Sequence, residues 1–232
     1  MSVVKDITKE LKSFSKKEKI DVFTRFFKTG EGEYGYGDMF WGITIPEIRG
    51  VARRYYKSVT LQDISELVEG KIHEVRLTGY IMLTYMYEKA SKDLKENIVS
   101  FYLSNLSGVN NWDIVDLSCY KILGEYVLEN PSKRVLLYDL LESKELWKER
   151  IAIVSTMALI RANEFEDTLR ISKLLLGNKH DLIHKAVGWM LREVGKRDIN
   201  LLREFLQKNI KMGIYEKHLG LKGLQMIIYG NS

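Results

Sequence analysis

The chain has one cysteine and two prolines in 232 residues, and it lacks both a long apolar run and any sustained two-residue alternation. A lone Cys119 excludes an internal disulfide and a multi-cysteine metal site. The longest charge-free apolar stretches, Leu77 to Tyr87 and Ile151 to Ile160, fall short of the roughly 18 residues that read as a membrane span. The opening MSVVKDITKELKSFSKKEK has no apolar core ahead of a small-residue cleavage site, so it does not read as a secretory signal and a cytoplasmic chain is expected. Without period-two alternation there is no sheet to build. Nor is there a strong excess of one charge: 36 Lys and Arg against 31 Asp and Glu give +5, which permits a nucleic-acid partner without establishing one.

What is present has helical period almost throughout. Ile7, Leu11 and Phe14, then Ile20, Phe23 and Phe27, stand three or four apart over 3–14 and 16–28. Pro46 and Pro131 each stand where a helix would start. Further helices are expected near 60–69, 72–89, 91–106, 111–128, 131–141, 144–162, 164–176, 179–196, 198–209 and 215–228. The expected class is all-α, a single domain over 1–232.

Aligning the polar residue that opens each long apolar helix brings out a repeat. HEVRLTGYIML begins at His73, NWDIVDLSCYKIL at Asn111, LWKERIAIVSTMAL at Leu146 and LIHKAVGWMLREV at Leu182, which places Arg76, Asp116, Arg150 and Lys185 at steps of 40, 34 and 35 residues. Such spacing fits a curved α-solenoid of HEAT-like paired helices, with those four side chains on its concave inner surface.

The irregular stretch is TGEGEYGYGDMFWGI, 29–43. Gly30, Gly32 and Gly35 match a dinucleotide-binding turn, but that turn needs a preceding strand, and Val22 to Lys28 is helical. A loop of this length is either a packed plug or a segment that lets backbone and aromatics (Tyr34, Tyr36, Phe40, Trp41) approach a ligand.

The densest candidate chemistry is WDIVD, 112–116. Asn111 is a good N-cap, which puts Trp112 and Asp113 in the first turn, where Asp113 reads as a helix-start residue complementing the dipole. Asp116 shares a face with Trp112 and lies in an otherwise apolar helix; it is either a structural ion-pair partner of Arg150 or Lys185 or a working carboxylate. Trp189 follows Lys185 by four residues, and two tryptophans near a carboxylate suit a cationic ligand. Trp41 and Trp147 show no spacing that separates packing from binding. His180 and His184 have zinc-compatible spacing but no obvious third ligand, so no metal and no cofactor is expected. There is no Gly-x-Ser-x-Gly elbow, and Cys119 has no nearby histidine, which disfavours acyl-enzyme chemistry.

RFFKTGEGEYGYGDMFWGITIPEIRGVARRYYK (25–57), HEVRLTGYIML (73–83), NNWDIVDLSCYKILGEY (110–126), LWKERIAIVSTMALI (146–160) and HKAVGWMLREVGKRD (184–198) together resemble the AlkD-like DNA alkylation repair proteins, HEAT-repeat DNA glycosylases. The resemblance covers most of the chain in family order. It implies a monofunctional alkylpurine DNA glycosylase of base excision repair, a hydrolase that releases cationic N3- or N7-alkylated purines from double-stranded DNA. It assigns catalysis to Asp116, Trp112 and Trp189 and a phosphate contact to Arg150. Lys185 and Arg76 of the inner row, with Arg49, Arg53 and Arg54, complete the expected DNA-binding set. A monomer is expected, associated with the nucleoid when bound. A non-catalytic nucleic-acid-binding or protein-binding scaffold stays open as the alternative. One departure is GIYEKHLGLKGLQMIIYG at 213–230, where family members close with a basic helix.

Overall fold

The computed structural model describes residues 2–209 of the chain. The helix expected at 215–228 and the divergent segment 213–230 lie outside the described residues. Among the described residues there are helices, turns and one isolated bridge, between Met39 and Ile72, but no strand. The protein is an all-α helical repeat, and its helices gather into two compact units, the first ending at Ile122 and the second beginning at Leu123.

The first unit contains α1 (Val3–Ser13), α2 (Lys17–Phe26), α3 (Ile45–Tyr55), α4 (Leu61–Val68), α5 (His73–Lys89), α6 (Lys92–Ser104) and α7 (Trp112–Cys119). Local chemistry sets their starts. Pro46 stands in the first turn of α3, where Glu47 reaches back to accept the Thr44 N–H at 2.8 Å. At α4 the pairing is reciprocal: Asp63 accepts from the Thr60 N–H at 2.8 Å, and the Thr60 hydroxyl accepts from the Asp63 N–H at 3.2 Å.

Amphipathic α1 buries Ile7 and Leu11 against α3 and α4, and both of those helices pack on α5. Full burial of such a side chain contributes about 1.5–3 kcal/mol. α5 is enclosed on nearly every side, with 13 of its 17 residues buried. Three of the 13 are His73, Glu74 and Arg76, so this central helix carries charge into the interior at its first turn.

The second unit contains α8 (Glu125–Glu129), α9 (Val135–Glu142), α10 (Leu146–Ser155), α11 (Met157–Arg161), α12 (Glu166–Leu175), α13 (Asp181–Gly195) and α14 (Ile199–Asn209). α9 and α13 pack on α10, while α12 and α14 pack on α13. Two stretches that read as continuous helices are interrupted. A π turn, Tyr120–Gly124, separates α7 from α8, and Gly124 lies so close to the Ser155 carbonyl that a Cβ would overlap it. The 144–162 stretch breaks at Thr156, whose hydroxyl donates to the Ile153 carbonyl at 2.7 Å and competes with the helical pattern.

Candidate active site

In the first unit the start of α7 is built by its own sequence. The buried Asn111 side chain accepts the Trp112 N–H at 2.9 Å, which caps the helix as its residue type predicts. The half-buried Trp112 ring stacks on Phe27 at 5.4 Å and meets the edge of Phe26 at 5.6 Å. Phe26 is 60% exposed. One turn on, Asp116 is half-buried and shares the Trp112 face. A carboxylate and aromatic surface therefore lie side by side at the protein boundary.

Beneath them runs a chain of buried charge that the sequence reading did not anticipate. Asp113 is 6% exposed; its Oδ1 accepts the Ile114 N–H at 2.8 Å, and its Oδ2 stands 2.8 Å from Nε2 of His73. The other ring nitrogen of His73 lies 3.1 Å from Asp38 Oδ2, and Asp38 Oδ1 accepts from Arg76 at 2.5 Å. Arg76 also donates to the Gly70 carbonyl at 2.9 Å and to Asn110 at 3.0 Å, while Asn110 donates to Asp38 at 2.7 Å. Burial pushes the His73 pKa down, but the Asp113 and Asp38 carboxylates outweigh it and push it up to about 9. Burial likewise opposes ionisation of Asp38, whose pKa its hydrogen bond to His73 and the Arg76 charge nonetheless hold below the usual carboxylate value. Within this chain of four side chains two cations and two carboxylates balance, while the buried Glu74 carboxylate is satisfied separately by backbone N–H groups.

The Gly/aromatic loop supplies Asp38 and is packed on α5. The imidazole of His73 lies between Phe40, at 4.8 Å, and Phe27, at 5.0 Å. Its neighbour Glu74 accepts the N–H groups of Trp41, Gly42 and Ile43 at 3.1, 2.8 and 3.1 Å. Gly42 has φ +77°, and its Cα abuts the Lys16 carbonyl so closely that no Cβ fits. The loop is thus a clasped structural element.

Two expectations for the inner row, at Arg76 and Arg150, change, and so does the one for Asp113. Arg76 does not line a solvated surface: it is 6% exposed and bound to Asp38. Asp113 does more than complement a helix start, since it is buried against His73. In the second unit Arg150 is also buried, donating from Nη1 to the Leu182 carbonyl at 2.5 Å, where the sequence suggested an arginine open to phosphate. Lys185 is exposed and pairs with Asp181 at 2.7 Å, and Trp189 is half-buried on the same helix. On α3, Arg53 is exposed and Arg49 partly so, while the exposed Arg54 pairs with Glu10.

His180 caps α13, its Nδ1 accepting the Leu182 N–H at 3.2 Å, and His184 donates from Nε2 to the Asn178 carbonyl at 2.5 Å. Among the described residues no group of three His, Cys, Asp or Glu could hold a metal ion, and no helix is long and apolar enough to cross a membrane.

The sequence signal for the buried chain was faint: a His-Glu pair opening a helix that is otherwise nearly all apolar, and one aspartate in an aromatic loop. Its partners lie 35 and 40 residues from His73, beyond any local pattern.

No curated protein matches the chain. A solved structure of a "predicted DNA alkylation repair enzyme" from Enterococcus faecalis is similar at TM-score 0.65 and 16% identity, covering 89% of this chain and 97% of that one, a likeness of fold. The family model described as DNA alkylation repair enzyme matches residues 7–217. That match spans nearly the whole chain, and the protein belongs to the DNA alkylation repair enzyme family.

Proposed function

We propose that this repair enzyme is a monofunctional glycosylase that releases cationic N3- or N7-alkylated purines from duplex DNA. The observation that carries the reading is the pairing on α7 of a half-buried Asp116 with the Trp112–Phe26 aromatic surface. Alkylation at N3 or N7 gives the purine a positive charge. The glycosidic electron pair then leaves with the base, which departs neutral, so a general acid is unnecessary. What the site must supply is stabilisation of the oxocarbenium-like sugar and direction of a water to its anomeric carbon, where the water adds and loses a proton. An ionised Asp116 serves both needs, and the face of Trp112 attracts the same developing charge. In the second unit the reading assigns DNA contact to Trp189 and Lys185, and on α3 to Arg49, Arg53 and Arg54. Arg76 and Arg150, being buried, act on the positions of other groups.

The test is release of 7-methylguanine from methylated duplex DNA. Asp116→Asn keeps the shape and removes the charge, so release should fall by about 10²-fold or more while duplex binding persists. Undiminished release by a folded Asp116→Asn protein refutes the mechanism, and salt-sensitive binding by a wild-type protein that releases no base points to the scaffold reading.

A further inference from the structure

We propose that His73 is a positioning residue for base release: held between Asp38 and Asp113, it fixes the rotational setting of α7 and so aims Trp112 and Asp116. The inference rests on the base-release reading above.

α7 is eight residues long and passes directly into a π turn; its internal hydrogen bonds run along the axis and do not resist a roll, so its rotational setting is fixed by what its buried side chains, Asp113 among them, contact. Its N-terminal turn is tied down from within. Asp113 points inward to His73 at 2.8 Å, and His73 is itself fixed by Asp38 at 3.1 Å and by two flanking phenyl rings. One of those rings, Phe27, carries the stacked Trp112 on its own surface. A single imidazole is therefore joined to the α7 backbone through Asp113 and to the Trp112 ring through Phe27.

At 100° per residue, Asp113 and Asp116 lie about 60° apart around the axis, so anchoring the first sets the direction of the second. Side-chain tips lie roughly 5–6 Å from a helix axis, and a roll of about 10° moves them by about 1 Å. Displacement on that scale costs up to about 10²-fold in rate. His73 touches no substrate in this scheme. It is buried beneath the site and acts through Asp113 and Phe27 alone.

The test compares full-length wild type with His73→Gln, a planar neutral side chain that still donates to Asp113, and with the double variant His73→Gln/Asp113→Asn, which restores charge balance in that pair. Three quantities are read: 7-methylguanine release at saturating DNA, Kd for the duplex, and the fluorine NMR resonance of Trp112 in 5-fluorotryptophan-labelled protein, assigned through Trp112→Phe. The expected result for His73→Gln is a tenfold or greater loss of release rate, a Kd within about threefold of wild type, and a displaced Trp112 resonance. The double variant should recover part of both the rate and the resonance position.

A folded His73→Gln protein with lower Tm but unchanged release, or with an unmoved Trp112 resonance, overturns the proposal and leaves His73 a stabilising residue only. If wild type releases no base, the glycosylase reading fails on its own account. The Trp112 resonance then decides whether His73 positions α7.

Discussion

Raising the pH from 6 to 9.5 should unload a defined part of the first unit's stability, and the structure supplies the amount. In the unfolded chain His73 titrates near 6.5; in the fold, the facing carboxylates of Asp38 and Asp113 hold it protonated up to about 9, despite burial and the nearby positive Arg76. A group whose pKa is raised by folding contributes its full stabilisation below the unfolded value and loses it as pH climbs to the folded one, because over that interval the native state binds the extra proton. A rise from 6.5 to about 9 corresponds to about 3 kcal/mol. The assay is urea unfolding followed by tryptophan fluorescence at half-unit pH steps, for wild type and His73→Gln. The variant does not titrate at this position, so the difference between the two proteins should shrink as pH rises, steepest between 7 and 8.5, with the slope about halved at 9 and levelling only about one unit beyond it. A constant difference across that window would show that His73 is neutral in the fold, and the balanced-charge account of the interior would be wrong. Asp38 works in the opposite direction: its lowered pKa adds stability that is present above about 3.8 and disappears as pH falls below it.

Other perturbations have equally definite outcomes. Glu74→Gln replaces one acceptor oxygen with a donor facing the Trp41 N–H and removes the charge from three hydrogen bonds; unfolding free energy should drop by about 2–3 kcal/mol, and proteolysis within 30–43 should accelerate. Gly124→Ala drives a methyl into the Ser155 carbonyl, and the resulting loss, about 1–3 kcal/mol, should exceed any gain in helix propensity and appear as a lower Tm. Duplex affinity should fall with salt, with a log–log slope of about −0.9 per phosphate neutralised. Arg53→Ala should flatten that slope by about one phosphate, whereas a slope unchanged by the substitution removes Arg53 from the interface.

Much of the architecture was legible because it is written in local periodicity and caps. The stripe Ile7–Leu11, the Pro46 start, the Asn111 cap and the boundaries of α5, α12 and α13 all follow from spacings within one or two turns. The interruptions at 120–124 and at Thr156 were not legible, since one depends on the closeness of a carbonyl 31 positions away and the other on a hydroxyl choosing a backbone partner. At the candidate site, the adjacency of Trp112 and Asp116 came directly from their i, i+4 spacing. The fates of Arg76 and Arg150 did not, because an alignment of repeat positions says which charges are equivalent, not which will find a buried partner first. Asp38 was invisible for the same reason: read along the chain, it is a polar residue in a glycine-rich loop.

The Arg76–Asp38–His73–Asp113 chain also constrains how this sequence can vary. Its members contribute two positive and two negative charges to one enclosed volume, so replacing any one of them alone leaves an unmatched ion where water cannot reach it. Drift at these positions must therefore proceed in oppositely charged pairs, or through intermediates destabilised by several kcal/mol. Among relatives, the identities at 38, 73, 76 and 113 should behave as a single inherited character, gained and lost together, while Arg49, Arg53 and Lys185, which face solvent to differing degrees, vary one at a time.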